Sequence, residues 1–444
     1  MDITGKKVSV LGLGRSGVAV SKLLISKGAR VFASDAGNPD VKIEGLSYET
    51  GKHSERIFDS ELIVLSPGIS MNHEVVKEAR KRGIEVLGEI EVAAQFFSGK
   101  MIAVTGTNGK TTTCALIGEM LKKGGFKVEV GGNIFPGKPL SEVVLNVDSS
   151  TIIVVEVSTF QLETIKEFKP FICVITNITP DHLDRHGDFE TYTEIKRKIF
   201  MNQKSGDYCI LNYDDKVTKQ SESLVKSNIY FFSIKNKLPK GVFLDNDNVV
   251  FKNKEKKIFL MNRNDILLIG EHNLENVLAA SLASILVGCD EGAIAEAAKN
   301  FSGVPHRLEP VLEINGIKFI NNSMCTNPVA FRRSIESVET PFVLICGGRN
   351  KNLAIEKMVN SILKAKYTVL IGESAEAISQ YLRKVNYNHF SIAGTMDEAT
   401  EIAYEHAVSG DTVLLSPGGS SFDMFRDFAD RGNRFKKSVK RLKK

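Results

Sequence analysis

Short apolar runs alternate with amphipathic stretches along nearly the whole chain. Near the start, VSVLGLG, RVFASD, LIVLSPGI and IEVLG are aliphatic runs that stop at Gly, Asp or Ser-Pro. Between them, GVAVSKLLISKG and HEVVKEARKRG carry apolar residues at helical spacing. Strands that are apolar on both faces and separated by helices predict a parallel, doubly wound sheet. The rhythm returns at KMIAVTG, TIIVVEVS, FICVITNIT and DYCILNYDD, and again at FVLICGG, YTVLIGE and TVLLSPGG. Between these groups, IYFFSIK, GVFLDNDNVVF and KIFLMN (229–269) are broken by Asn/Asp turns and predict a small β excursion. A helix within GEHNLENVLAASLASILVG follows, and a Val304-Pro305 break precedes the last group. The pattern predicts three successive α/β blocks: 1–97, 98–303 and 304–444.

One junction in this pattern carries chemistry. The run KMIAVTG ends at Gly106, Asn108 and Gly109 form a tight loop, and Lys110, Thr111 and Thr112 open the next helix. Glycine lets backbone N–H groups approach an anion, and the new helix directs its free N–H groups and dipole the same way. Lys110 adds a point charge for the β/γ-phosphates, and the Thr111 hydroxyl is placed for Mg²⁺. Residues 106–112 (Gly106, Thr107, Asn108, Gly109, Lys110, Thr111, Thr112) therefore read as a phosphate-binding loop for ATP. The usual spacing would put a glycine at Val104, so the loop is a variant.

Composition narrows the function class. At 444 residues the chain can hold about two to four domains, and 42% apolar with 25% charged residues is ordinary for a globular protein. The net charge of +5 is modest, and its basic cluster, RFKKSVKRLKK, reads as the solvated face of a terminal helix and not as a nucleic-acid or membrane contact. The six cysteines (114, 173, 209, 289, 325 and 346) form no CxxC pair, so buried free thiols in a reducing compartment are expected. Neither a leader-like segment nor an apolar run of spanning length is seen, and a cytoplasmic protein is expected.

Two glycine turns in the first block suggest a second ligand. GLGRSG (12–17) follows a strand and opens a helix, and Asp35 ends the next strand. That arrangement suits a dinucleotide, with Asp35 on a ribose hydroxyl, or another diphosphate such as a nucleotide sugar. SPGI places Ser66, Pro67 and Gly68 at a strand's C-terminal edge, as a ligand loop or a plain turn. Beyond the phosphate loop, Glu156 closes strand IIVVE where a carboxylate can meet Mg²⁺, and TNITPDHLDRHG brings Asp181, His182 and Asp184 to another strand end. His182 and His186 are four apart, yet the loop-like setting argues against a helical zinc pair. In FETYTEIKRKIF the cations Lys196, Arg197 and Lys198 read locally as a solvated helix face.

Taken in order, TGTNGKTT, EVSTFQLE, TNITPDHLDRHG, GEHNLENVLAA and VPHRLE resemble the Mur ligase family, with SPGI before them and LLSPGGSSFDMFRDFADRGNRF after, so the likeness spans the chain. EVSTFQLE, SPGI and the SFDMF…RG segment are most similar to the member that adds D-glutamate to UDP-N-acetylmuramoyl-L-alanine. The resemblance implies a Rossmann-like N-terminal domain for the UDP-substrate (1–97), a P-loop-type central ATPase domain (98–303) and a Rossmann-like C-terminal domain for the amino acid (304–444). It implies a cytoplasmic, monomeric, ATP-dependent amide ligase of peptidoglycan precursor synthesis, working through an acyl phosphate, with two Mg²⁺ ions and a carbamylated Lys196. Lys110, Lys196 and His182 take catalytic places, and Thr111, Glu156, His182 and Lys196 the metal places. Asn273, Asn276 and Arg307 match nucleotide-contacting positions. Gly14, Arg15, Ser16, Asp35, Ser66, Gly68 and Asn133 fall to the UDP-substrate, and Thr326, Lys351, Ser421 and Phe428 to the incoming glutamate.

Departures from the family pattern keep rivals in view. Asn322 and Met324 stand where the family has an aspartate and a lysine, so L-glutamate or another amino acid remains an alternative substrate. Ala36-Gly37 replace a common Thr-Arg pair beside the uridine end. The Asp-Asn-Pro-Arg signature of a diaminopimelate-adding member is absent, and folylpolyglutamate synthetase lacks the diphosphate-binding first domain. A nicotinamide dehydrogenase would leave the phosphate loop unexplained. A catalytically silent relative would not be expected to keep Lys110, Thr111, Glu156, His182 and Lys196 together.

Overall fold

The apolar runs are too short for core helices and become strands, which the computed structural model gathers into three sheets. The structure describes residues 1–134, 137–254, 256–268, 270–326, 328–338, 341–349 and 355–443, without the side chains of Asp184, Val329, Arg333 and Lys357. The first sheet is wholly parallel. It holds β1 (Lys7–Leu11), β2 (Arg30–Asp35), β3 (Ser47–Thr50), β4 (Leu62–Leu65) and β5 (Glu85–Gly88) in the order β3-β2-β1-β4-β5. Strand order reverses between β1 and β4, so the loops leaving them part and open a crevice at their C-terminal ends. Helix Arg15–Ser26 starts there, and a Cβ on Gly17 would lie 1.8 Å from the Gly12 carbonyl oxygen. Only glycine lets the helix pack this close to its strand.

The central sheet has nine strands. Its parallel part is β6 (Met101–Thr105), β7 (Val128–Gly132), β8 (Ile152–Glu156), β9 (Ile172–Ile175), β10 (Tyr208–Asn212), β11 (Asn228–Ser233) and β12 (Gly241–Asp245), followed by the antiparallel β13 (Asn248–Lys252) and β14 (Lys257–Asn262). The order is β14-β13-β12-β11-β10-β9-β6-β8-β7. The segment expected to be a small β excursion is β-structured and lengthens this sheet: β11 and β12 pair in parallel before the chain turns back at Asn246 with φ +56°. Strand β6 is buried throughout and serves two cores. Ile102 and Val104 face Leu274, Val277 and Leu278, while Met101 and Ala103 face Leu140, Val143 and Phe168.

The second of those cores also includes Leu23, Ile90 and Ala93 from the first block. The blocks that motifs separate at residue 97 thus share buried apolar surface, and the chain divides into two compact units, Met1–Phe301 and Ser302–Lys444. In the second unit, β15 (Glu309–Ile314), β16 (Ile317–Asn321), β17 (Phe342–Gly347), β18 (Tyr367–Ile371), β19 (Phe390–Ala393) and β20 (Thr412–Gly418) form one sheet, ordered β15-β16-β20-β17-β18-β19. Only β15 runs antiparallel to its neighbour. The terminal helix Phe428–Leu442 buries Phe435 and Val439. All six cysteines are buried and free. Among the described residues no helix is long and apolar enough to cross a membrane.

Candidate active site

The phosphate loop leaves the C-terminal end of β6, where β8 and β9 flank it and the strand order reverses. Two glycines set its shape. Gly106 (φ +149°) and Gly109 (φ +84°) would drive a Cβ to 1.9 Å from Thr176 Oγ1 and 2.2 Å from Asn276 Oδ1. The loop is braced by the residues after β9: Thr107 N donates to Asn177 O (2.9 Å), Asn108 N donates to Asn177 Oδ1 (2.9 Å), and Thr176 Oγ1 donates to Asn108 O (2.6 Å). Thr176 and Asn177 escaped the sequence reading, although polar residues at the end of a wholly buried neighbouring strand were a usable signal. Helix Lys110–Lys123 begins at Gly109 with no side-chain cap and no acidic residue in its first turn, which leaves it suited to an anion. Lys110 Nζ folds over the loop onto Gly106 O and Thr107 O, both at 2.9 Å. Thr112 is half-buried in the same first turn.

Against this loop stands a carboxylate. Glu156, buried at the end of β8, accepts from Thr111 Oγ1 at 2.7 Å. Asn133 Nδ2 lies 3.4 Å from its other oxygen, and Asn133 N donates to Glu156 O. Asn133, grouped with the UDP-substrate from sequence, is therefore built into the Glu156 end of the site. Lys196 overturns its local reading as a solvated cation: it is 2% exposed and donates to Gly106 O at 2.8 Å. Lys110 donates to the same carbonyl, so the two amines are neighbours. Burial pushes the Lys196 amine well below the ordinary lysine value, the Lys110 charge adds to this, and Asp181 and Glu156 oppose it. Lys196 is presented by helix Phe189–Arg197, whose N-cap Asp188 accepts from Thr191 N at 2.7 Å. One turn earlier, Tyr192 places its ring 4.7 Å from Lys196 Nζ and its hydroxyl 3.1 Å from Thr107 Oγ1. The i, i+4 spacing of Tyr192 and Lys196 was the signal for that residue.

His182 sits at φ +52° on the loop beyond β9, half exposed, its Nε2 3.8 Å from Asp181 Oδ2. His186 is buried between Glu163 (3.1 Å) and Thr159 (3.0 Å), so the two histidines do not form a zinc pair. Thr111 and Glu156 offer hard oxygen donors beside the phosphate loop, a set that fits Mg²⁺. Among the described residues no three His, Cys, Asp or Glu side chains form a cage by themselves. Beneath the loop, Asn276 Oδ1 accepts from Thr113 Oγ1 (3.3 Å) and Asn276 Nδ2 donates to Asn273 Oδ1 (3.4 Å). Arg307 belongs to the other compact unit.

In the first sheet, Gly14 caps helix Arg15–Ser26 without a side-chain bond, which leaves the turn of Arg15 and Ser16 suited to an anion. Both Asp35 oxygens accept backbone N–H groups, from Leu13 (2.6 Å) and Gly37 (2.7 Å), so Asp35 braces the glycine turn. Ser66 Oγ donates to Gly12 O at 2.8 Å, and exposed Gly68 has open space where a Cβ would stand.

In the second unit, Thr326 is half-buried, Ser421 is buried and Phe428 is buried with its ring 5.9 Å from His306, while Lys351 lies outside the described residues. Asn322 uses both ends of its amide, accepting from Leu308 N (3.2 Å) and donating to Ser416 Oγ (3.3 Å), a pairing that a carboxylate could not reproduce unchanged. Met324 is half-buried and anchored through its backbone N–H to His306 O. Arg431, missed from sequence, is fully buried and donates to Ser323 Oγ, Ser323 O and Gly419 O. Its place between Phe428 and Phe435 on one helical face was the available signal.

Three family models match in succession: a Mur ligase MurD-like N-terminal domain over residues 6–88, a Mur ligase middle domain over 104–284, and a Mur ligase glutamate ligase domain over 306–419. The chain is 45% identical to a UDP-N-acetylmuramoylalanine--D-glutamate ligase of Thermoanaerobacter sp. (strain X514), with both chains covered in full. It is 40% identical to the enzyme so named of Caldicellulosiruptor bescii, over 100% of this chain and 99% of that one. Among solved structures, UDP-N-acetylmuramate-alanine ligase of Thermotoga maritima superposes with a TM-score of 0.56 at 18% identity, covering 98% of this chain and 100% of that one. A MurF ligase of Thermotoga maritima in complex with ADP gives 0.54 at 16% identity, covering 99% and 96%. These two likenesses establish the fold.

Proposed function

The chain belongs to the Mur ligase family, and on that premise we propose that it joins D-glutamate to UDP-N-acetylmuramoyl-L-alanine at the expense of ATP, in the making of peptidoglycan precursors. Full-length relatives named for that reaction support the choice of amino acid. The observation that carries the chemistry is the Gly106 carbonyl shared by Lys110 and Lys196, beside the Thr111–Glu156 pair.

An oxygen of the acceptor's carboxylate attacks the γ-phosphorus of ATP, the bond to ADP breaks, and an acyl phosphate forms. The glutamate amine adds to the acyl carbon, the tetrahedral intermediate expels phosphate, and the amine nitrogen gives up a proton. Such phosphoryl transfer asks mainly for positioning and charge neutralisation. The loop N–H groups and Lys110 hold the phosphates. Thr111, Glu156, His182 and a carbamylated Lys196 would hold two Mg²⁺ ions, which when bound neutralise phosphate and acyl-oxygen charge. Burial and the nearby Lys110 favour the uncharged Lys196 amine. That is the form that adds to carbon dioxide, with loss of a proton, to give an anionic carbamate.

The turn of Gly14, Arg15, Ser16 and Asp35, with Ser66 and Gly68, is assigned to the uridine diphosphate end, and Asn133 to the acceptor's reacting end. Asn273, Asn276 and Arg307 are assigned to the nucleotide, and Thr326, Lys351, Ser421 and Phe428 to glutamate. On this reading block 1–97 serves the uridine end, block 98–303 most of the nucleotide and metal positions, and block 304–444 the amino acid together with Arg307. We also propose a monomer, and a nucleotide-linked precursor and ATP as substrates favour the cytoplasm. Asn322 and Met324 favour a second reading, a different amino acid at the same site. ADP release measured with UDP-N-acetylmuramoyl-L-alanine and a panel of D-glutamate, L-glutamate and other amino acids decides between them. Release with D-glutamate alone is expected; no release with either glutamate isomer would sink the first reading.

A further inference from the structure

The turn carrying His182 is held from behind by side chains that the proposed chemistry leaves unused. Helix Leu183–His186 is a single turn, and His182 at its start occupies the left-handed region, which is strained for a non-glycine residue unless its surroundings fix it. Glu163, on the segment after Glu156, grips two residues of that turn. Its carboxylate accepts two bonds from Arg185 (Nε to Oε1 at 3.1 Å, Nη2 to Oε2 at 2.7 Å) and faces His186 Nδ1 at 3.1 Å. The fork geometry fixes orientation as well as distance. The side chains of Arg185, Glu163 and His186 are 19%, 14% and 1% exposed, so water competes little for these bonds.

The clamp reaches in three directions. Arg185 lies 4.1 Å over the Phe160 ring, and that ring stands 5.0 Å from the His182 ring. Arg185 Nη2 also meets Ile69 O, in the SPGI loop of the first sheet, at 3.5 Å. His186 pairs through Nε2 with Thr159 Oγ1 and lies 5.7 Å from the ring of Tyr192, whose hydroxyl touches Thr107 of the phosphate loop.

We propose that Glu163, Arg185 and His186 are positioning residues for His182, locking its turn toward the metal and phosphate site and tying that turn to both the SPGI loop and the phosphate loop. The proposal rests on the ligase reading, in which His182 serves the metal. Glu163→Gln keeps the shape but puts an NH₂ where an oxygen must accept, and Arg185→Lys keeps the charge but loses the fork. The test uses the full chain and reads Mn²⁺ binding in the presence of ADP by the spin-resonance signal of free Mn²⁺. Mg²⁺-dependent ADP release and melting temperature are measured alongside. For Glu163→Gln the expected result is a rise of about tenfold or more in the Mn²⁺ dissociation constant and in the Mg²⁺ needed for half-maximal rate. The KM for ATP should change little, and Arg185→Lys should fall between parent and Glu163→Gln. Variants that bind Mn²⁺ as tightly as the parent, with only a lowered melting temperature, overturn the positioning role whether or not the parent is a ligase. A parent that binds Mn²⁺ but releases no ADP with any amino acid overturns the ligase reading alone, and one that binds no Mn²⁺ overturns both.

Discussion

Two lysines with one acceptor between them define the chemistry at the level of single residues. Lys110 is half-buried and spans the loop, whereas Lys196 is enclosed and held near the same carbonyl, so the pair is relieved most simply by leaving Lys196 uncharged. A carbamate there would turn the like-charge pair into an attractive one and add an oxygen donor beside Glu156. Lys196→Ala is therefore expected to abolish phosphate release, and added short carboxylic acids should restore part of it by filling the vacated space with a carboxylate. Full activity in the variant, with no effect of added acid, would reject the carbamate role. Thr111 and Glu156 were legible in the sequence because their spacing from a strand end is local. The enclosure of Lys196 was not, since its helix reads as a solvated face and what covers it is the loop ninety residues earlier.

At the level of elements, the strand–loop–helix unit works because its glycines do two jobs. Gly109 needs the left-handed region and also leaves room for the Asn276 amide; Gly125 needs the same region but has open space around it. Alanine at Gly125 should cost only the backbone term of about 1–2 kcal/mol, or a few degrees in melting temperature for a unit of this size. Alanine at Gly109 adds a 2.2 Å clash and should also destroy ADP binding, measured by calorimetry on both variants. Equal ADP affinity in the two would show that the Asn276 contact has no bearing on the loop. Strand runs and turn residues were readable from the pattern. The joining of the 229–269 segment to the central sheet was not, because pairing between β10, β11 and β12 depends on neighbours in space.

Across the whole molecule, the first sheet is fastened to the central one by the helix Glu89–Gln95, through two buried carboxylates. Glu91 accepts backbone N–H groups of Lys166, Glu167 and Phe168. Glu89 accepts twice from Ser141 through one oxygen, while its other oxygen is buried without a hydrogen-bond partner among the described residues. Burial therefore raises the Glu89 carboxyl above its ordinary range, so that between the unfolded and folded values the folded state favours a proton that the unfolded chain has released. Its stabilising effect is present below the ordinary glutamate value and is lost as pH rises through the raised folded one. In urea unfolding between pH ~5 and ~8, the parent should lose stability relative to Glu89→Gln as pH rises; parallel profiles would mean that Glu89 is not protonated in the fold. By itself the sequence determined the βαβ rhythm, the phosphate loop and the order of motifs, because each depends on side-chain period or on backbone chemistry within a few residues. Only the tertiary structure decided which groups are buried together: Lys196 against Gly106, Asn133 against Glu156, Arg185 against Glu163, and Leu23 in the core of the central sheet. Burial and charge coupling arise between segments far apart in the chain, where local pattern carries no information about the partner.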